Sequence, residues 1–347
     1  MIALDNTIGF AHFVAWTLGL IILCYGLSKR YPWTVCLAFG MTVFSALRIY
    51  QAALNGIPMD PVIREFIRSA EAAIVAFLLT VMIIQALSIR AWTKIFKILA
   101  IVNALALCVD SLFFTTKGLM NGMTWAQFRE HEPWGILLNA SMSGCFSGAV
   151  YPLFHRREKL FRALIVLSIL AAGRSLPVAV LFSGIGITLL MAKRYRALSV
   201  AVVASIAVGL LLKGNHLLNP RGRDFIWSLS FAHFRDHLPW SVGGGLGSFY
   251  VVGPAICNHA KGPIFVWLHS DWFQTLFEQG IIGFVLVVAM YAHALWSARK
   301  TPALLSALVA YAAFAVANMP LRYPVSGLFG AFLIRWALEK RASNDLQ

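Results

Sequence analysis

His269-Ser-Asp-Trp-Phe-Gln-Thr-Leu-Phe-Glu-Gln-Gly-Ile-Ile-Gly283 is the point where a long polar loop turns into an apolar run that continues to about residue 296. Asp271 with Gln274 three residues later predicts a helix start. The run that follows is long enough to cross a hydrocarbon core about 30 Å thick. Asp271, Gln274 and Glu278 share one face of that helix. A polar face at the end of a span is expected to line a cavity rather than face lipid.

Similar runs recur on both sides of this one. Hydrophobic residues make up 59% of the chain and charged residues 12%, whereas about a quarter of a globular chain is charged. Eleven spans are expected, at about 8–27, 33–54, 70–89, 92–112, 134–154, 160–173, 175–192, 198–212, 272–296, 303–318 and 325–338. The expected fold class is therefore an all-α polytopic membrane protein, a single integral membrane domain over residues 1–347. The tight pair 160–173 and 175–192 could instead be a broken or re-entrant segment around Gly173 and Pro177. The first apolar run follows Met1-Ile-Ala-Leu-Asp5, without a positively charged leader, and reads as a transmembrane helix rather than a cleaved signal.

The formal net charge of +15 does not point to nucleic acid, because the basic residues sit in short clusters between apolar runs. Lys29/Arg30, Arg90/Lys94, Arg156/Arg157/Lys159, Lys193/Arg194/Arg196, Arg299/Lys300 and Lys340/Arg341 alternate in phase. The positive-inside rule places them together on the cytoplasmic side. The amino terminus, residues 55–69, 113–133, 173–175 and 213–272, and Arg322 then face outward. Cysteines at 24, 36, 108, 145 and 257 show neither a disulfide framework nor a thiolate metal motif.

The outward loop 213–272 is the expected seat of the chemistry. It holds His216, His233, His237, His259 and His269, with Lys213, Arg221, Arg223, Arg235 and Lys261 against Asp224, Asp236 and Asp271. Trp227, Phe231, Phe234 and Leu238 fall on one helical face, and Pro239 ends the helix. This amphipathic helix is expected to lie on the membrane surface with its aromatic stripe down. Arg223 at its amino end suits an anion, since helix amino termini attract negative charge; a plain interfacial anchor is compatible with that role. His233 and His237 have metal-ligand spacing, but the Glu of the zinc-peptidase pattern is missing between them, which favours two interfacial histidines and no metal. The glycine-rich turn Ser241–Phe249 allows positive φ and close backbone approach, yet it is not a nucleotide fingerprint.

Other outward charges are weighed against plainer roles. Arg48, Glu71 and Asp110 read equally as functional charges near the membrane or, more plainly, as interfacial charges or an Arg48–Glu71 staple. Arg174, in the turn Gly173-Arg174-Ser175, either snorkels to the interface or offers a guanidinium to phosphate. A lone histidine is usually structural, but His269, beside a carboxylate and near several arginines, is a better candidate base.

The order Arg-Asp-x-x-Trp, then His-x-Pro-x-x-x-Gly-x-Gly-x-Gly-Ser-Phe, then His-Ser-Asp-Trp-x-Gln-x-x-x-Glu-x-Gly-x-x-Gly resembles the O-antigen ligase and polymerase superfamily. The resemblance covers about residues 134–296 and is strongest over 221–283, with Asn139 and the Gly173-Arg174-Ser175 turn also in place. Ser270 stands where the family more often has Asn after the histidine. The resemblance implies a metal-independent glycosyltransferase, needing no cofactor, in the bacterial cytoplasmic membrane and active on its periplasmic face. Its donor would be a glycan on undecaprenyl pyrophosphate, and its acceptor lipid A-core or another glycan. Arg174 and Arg223 would hold the pyrophosphate, with Arg221 and Arg322 in reserve; His269 and Asp271 would be catalytic. No outward arginine shows the Arg-x10-Gly spacing described for polymerases, which favours a ligase. A lipid-linked glycan transporter, from another functional class, would be expected to show paired halves and broken helices.

Overall fold

The structure is a computed structural model that describes residues 87–120, 140–155, 157–172, 174–202, 223–244, 249, 253, 268–316, 318–320 and 324–344. Among these residues all regular structure is helical and no strand occurs. The helices are α1 (Ile89–Met120), α2 (Ala140–Val150), α3 (Lys159–Ala171), α4 (Ser175–Met191), α5 (Arg223–His237), α6 (Asp271–Ala298), α7 (Pro302–Val316) and α8 (Pro324–Asn344). A 3₁₀ turn, Tyr151–Leu153, follows α2. The expected spans at 8–27 and 33–54, nearly all of 70–89 and most of 198–212 lie outside the described residues, as do Arg48, Glu71 and Asn139.

Chain contacts divide the protein into two compact units. One contains Gly222–His293 and Leu321–Ala331; the other contains Leu87–Arg221, Ala294–Pro320 and Phe332–Gln347.

The second unit is built around α2. Its sequence, ASMSGCFSGAV, is made almost entirely of small residues, and all but Ser141 are buried. Small side chains let helix backbones approach closely, and α1, α3, α4 and α7 all pack on this helix. A Cβ at Gly144 would lie 2.7 Å from Pro177 Cγ, and one at Gly148 would lie 3.2 Å from the Leu181 backbone nitrogen. The polar groups on these faces are paired with one another. Asn103 of α1 donates to the Ser143 carbonyl and to Ser147 Oγ, both at 2.8 Å.

Among the described residues, two helices are long and apolar enough to cross a membrane: Ile89–Phe113 and Asp271–Ala298. Only 28% and 33% of their most apolar stretches are buried. The core helix of a soluble protein would be mostly enclosed. On α1 the exposed stripe is Ile98, Val102, Leu105, Val109 and Leu112, while Phe96, Ala100, Ala104 and Leu107 on the other side are buried. A helix apolar on its outward face as well as its buried one is expected of a helix solvated by lipid. The other described helices are shorter. The 13 residues of α3 reach only about 20 Å at 1.5 Å per residue. It is joined to α4 through residues 172–174, so the tight pair is two separate helices.

Contacts within this unit sort the turns into two ends. At one end Lys97 pairs with Glu158 at 2.7 Å, Arg335 donates to the Leu87 carbonyl, Gly184 lies against Pro152, and Thr188 bonds Ser306 at 2.8 Å. At the other end Asn318 reaches Ser141, Ser111 reaches the Ala171 carbonyl, and Gly144 meets Pro177 and Ala172. The basic turns near 90, 157, 193, 299 and 340 thus share one end, in agreement with their alternating phase in the sequence. Glu158 sits among cations there, and its carboxyl is pulled below the usual range by Lys97 and the His155 N–H, against an opposing burial effect.

Gly144→Val should therefore destabilise the protein by roughly 1–3 kcal/mol through overpacking. Gly186→Ala, where a Cβ meets only Leu198 Cδ1 at 3.5 Å, should be neutral or slightly stabilising, because Ala favours helix over Gly by up to about 1 kcal/mol. Melting temperatures of the two variants in detergent check the pair.

Candidate functional site

The unit holding Gly222–His293 contains α5, the turn after it and most of α6. The buried line of α5 is Ile226, Ser230 and Phe234, at 0%, 1% and 2% exposure. Ile226 and Phe234 pack with Phe249, Leu268 and Phe277, and Trp227, Leu238, Phe273 and Leu276 lie around them. The expectation that the whole aromatic stripe faces lipid is therefore corrected. Trp227, Phe234 and Leu238 turn into protein because α6 supplies the aromatic partners Phe273 and Phe277. Phe231 alone of the four stays outside, edge-on to Trp240.

His233 and His237 stand with ring centroids 4.8 Å apart, and His233 stacks over Phe277. Burial, and to a smaller extent the neighbouring His237, lower the pKa of His233. Its neutral form is favoured, and it serves as an aromatic plate in this contact. Arg235 and Asp236 form an exposed local ion pair.

The second feature is a break in α6, which the sequence reading takes as one continuous span. Gly280 adopts φ 65° and ψ −165°, outside any helix. Gly243, in the turn after α5, also has φ 65°. The two lie back to back: a Cβ on Gly280 would sit 2.5 Å from the Gly243 nitrogen, and one on Gly243 would sit 2.6 Å from the Gly280 nitrogen. The turn fills the hydrogen-bonding gap left by the break. Gly244 N–H donates to the Phe277 carbonyl at 2.9 Å. Ile281 and Ile282 N–H donate to the Trp240 and Ser241 carbonyls at 2.9 and 3.1 Å. The glycine-rich turn is thus a backbone dock. The signal for it in the sequence is a Gly-x-x-Gly pair inside an apolar run, where Gly283 leaves room for the Gln279 side chain to fold back.

The third feature is the entry to α6. Ser270, not Asp271, is the cap: its Oγ accepts the Phe273 N–H at 3.3 Å and its carbonyl accepts the Gln274 N–H at 2.9 Å. Asp271 occupies the first turn, where a carboxylate complements the helix dipole. Asp271, Gln274, Thr275, Glu278 and Gln279 are all at most 5% exposed. The polar face is enclosed by protein and does not meet lipid. Gln274 Oε1 accepts the Leu268 N–H at 3.1 Å, and Gln274 Nε2 donates to Glu278 Oε1 at 2.5 Å.

His269 lies between the clamped Leu268 and the capping Ser270. It is half-buried, with φ 51° in the left-handed region. That conformation costs a non-glycine residue roughly 1–2 kcal/mol, and such residues persist where their surroundings over-determine them. Arg223 begins α5 one turn before Trp227. Trp227 Nε1 donates to the Leu268 carbonyl at 2.7 Å and its ring stacks on Phe273. The structure therefore brings the first turn of α5, where Arg223 stands, to the residue preceding His269.

Arg174 belongs to the other unit, where it is the extended, half-buried N-cap residue of α4. No acidic residue lies in the first turn of α4, so a cation stands at the positive helix end. It lies at the end of its unit opposite the basic turns. Arg221 and Arg322 lie outside the described residues. Asp110 is half-buried on α1. Among the described residues there is no group of three His, Cys, Asp or Glu side chains able to hold a metal ion.

Gly280→Ala and Gly243→Ala should each undock the turn. Strained φ alone costs roughly 1–3 kcal/mol, and the backbone clash adds to it. Hydrogen exchange should speed up at the Gly244, Ile281 and Ile282 amides while the α1 amides stay unchanged; unchanged exchange at those three positions would show that the two glycines are not in contact.

A comparison with protein-family models gives no match, and neither does one with curated proteins.

Proposed function

We propose that the chain is an integral membrane glycosyltransferase of the O-antigen ligase type. It moves a glycan from undecaprenyl pyrophosphate to an acceptor hydroxyl, that of lipid A-core, on the periplasmic face of the bacterial inner membrane. The reading includes a polytopic frame of about eleven spans. The observation that carries it is His269, a histidine held in a left-handed backbone conformation at the mouth of a buried acidic helix turn, one contact away from the turn of α5 that begins with Arg223.

In this reading the donor's pyrophosphate is the leaving group, and fixed cations stabilise the charge that develops on it. Arg223, at the amino end of α5, takes that role, and the family resemblance adds Arg174, with Arg221 and Arg322 in reserve. His269 accepts the proton of the acceptor hydroxyl as that oxygen attacks the anomeric carbon and the bond to pyrophosphate breaks. Asp271 orients the imidazole or stabilises its protonated form. A polymerase on the same scaffold would use the same groups with a different acceptor.

A transporter of the same lipid-linked glycan is the second reading, and the break of α6 at Gly280 is the observation in its favour. Against it, the break is closed by the adjacent turn, whose carbonyls and amide bond directly to the freed backbone groups. They are not left to line a cavity.

Reconstituted protein with a lipid-linked glycan donor and core acceptor tests the proposal. His269→Ala should lower single-turnover transfer by roughly 10²–10⁴-fold, the range for general acid–base catalysis, with donor affinity nearly intact. Arg223→Ala should weaken donor binding as well as turnover, and Arg223→Lys should recover only part, since a point charge does not reproduce a bidentate fork. Near-normal turnover in His269→Ala would make Asp271 the leading base. Transfer should also persist in EDTA; loss restored by zinc would replace the arginine mechanism with a metal one. Glycan movement across the vesicle wall without transfer would favour the transporter.

A further inference from the structure

The peptide preceding His269 is held from two directions by side chains of α5 and α6. Trp227 Nε1 donates to the Leu268 carbonyl at 2.7 Å, and Gln274 Oε1 accepts the Leu268 N–H at 3.1 Å. Gln274 is itself held, because its Nε2 donates to Glu278 Oε1 at 2.5 Å. Trp227 is held by its stack on Phe273, with centroids 5.0 Å apart and planes 10° from parallel. Leu268 is fully buried, and Gln274 and Glu278 are each 2% exposed. On the other side of His269, Ser270 is tied into the helix cap. The left-handed φ of His269 is thus the connection between two fixed peptides.

The geometry points to Trp227 and Gln274, the latter anchored by Glu278, as positioning residues for His269. They touch neither donor nor acceptor. They fix the Leu268 peptide, and through it the direction in which the imidazole leaves the backbone. Gln274 suits the task because one amide both accepts from the Leu268 N–H and donates to a carboxylate. Glu or Met at position 274, with Glu278 in place, supplies only one of these or neither. The catalytic role of His269 in this inference rests on the transferase reading; the clamp itself does not.

The test uses the full-length protein in detergent and two readouts. The first is the rate at which diethyl pyrocarbonate modifies His269, followed by peptide mass spectrometry, which needs no activity. The second is single-turnover glycan transfer with donor affinity measured separately. Gln274→Met removes both hydrogen bonds at nearly constant volume, and Trp227→Phe removes the indole donor while keeping the stack. Each should make His269 modification several-fold faster. Each should also lower the transfer rate by roughly 10–10²-fold, the scale of a misplaced catalytic group, at unchanged donor affinity. The double exchange Gln274→Glu with Glu278→Gln leaves a carboxylate at 274 to accept the Leu268 N–H and an amide at 278 to donate to it. It should return both readouts to near wild type.

Wild-type modification of His269 in Gln274→Met overturns the positioning role. So does a double exchange no better than Gln274→Met, including the case in which both fail to fold. If modification responds as stated but the wild-type protein transfers no glycan, the clamp stands and the transferase reading falls.

Discussion

An α-helix that breaks in the middle leaves N–H and carbonyl groups without partners, and each one costs several kcal/mol where water is absent. At Gly280 the protein meets this constraint with backbone rather than side chains. The turn after α5 presents two carbonyls and one N–H to backbone groups on either side of the break. Such an arrangement demands that two main chains run within 2.6 Å of where a Cβ would sit, and Gly243 and Gly280 are the residues that permit it. Once that contact is made, α5 cannot drift along α6. Trp227 is brought over Phe273, and Phe234 and Phe277 settle into one aromatic cluster with Phe249.

The same break separates two chemistries along one helix. Before Gly280, the polar groups Asp271, Gln274, Thr275, Glu278 and Gln279 are all enclosed by protein. After it, the stretch from Ile281 to Ala298 carries no Asp, Glu, Lys or Arg, and Ile281, Ile282, Val285 and Val288 are exposed. An unbroken helix of 28 residues would be about 42 Å long, well beyond a hydrocarbon core of about 30 Å. The part after the break, 18 residues by its numbering, is about 27 Å long and fits that core by itself. On the membrane reading, the break lets the acidic half-helix leave the span's direction, with Phe273 and Phe277 packed against α5.

Much of this is legible from residue order, and what is not has physical causes. Helix type, the position of most described ends and the in-phase basic turns follow from apolar run length and charge placement, which are local properties. The polar face of Asp271, Gln274 and Glu278 follows from helical spacing. The break at Gly280 is signalled only weakly, by the Gly-x-x-Gly pair, because a glycine inside an apolar helix is tolerated; its partner Gly243, 37 residues earlier, makes it a junction. The cap is displaced by one residue from its expected place because Ser270 and Asp271 are both good capping types, and the hydrogen bond to Phe273 decides between them. The stripe on α5 reads as lipid-facing because periodicity reports which residues are apolar, not what covers them. Trp227 and Phe234 find aromatic partners on α6, and Phe231 does not.

The buried Glu278 shows why this half of the site is rigid. A carboxylate taken out of water is expensive unless its oxygens are bonded, and Gln274 bonds one of them at 2.5 Å. That bond fixes the Gln274 amide, so its oxygen points at the Leu268 N–H rather than back along the helix. The alternative rotamer would leave both the Leu268 N–H and Glu278 without Gln274, which is costly in a low-dielectric interior. Electrostatic cost at Glu278 is thereby converted into geometric constraint at Leu268, at the far end of the acidic half of α6. The side chain that inherits this constraint is His269, whose backbone takes it up as strain. A purely structural loop would relax that strain with glycine or asparagine, since those residues enter the left-handed region with little penalty. Histidine at this position instead places an imidazole between two fixed peptides, at the edge of a buried acidic turn.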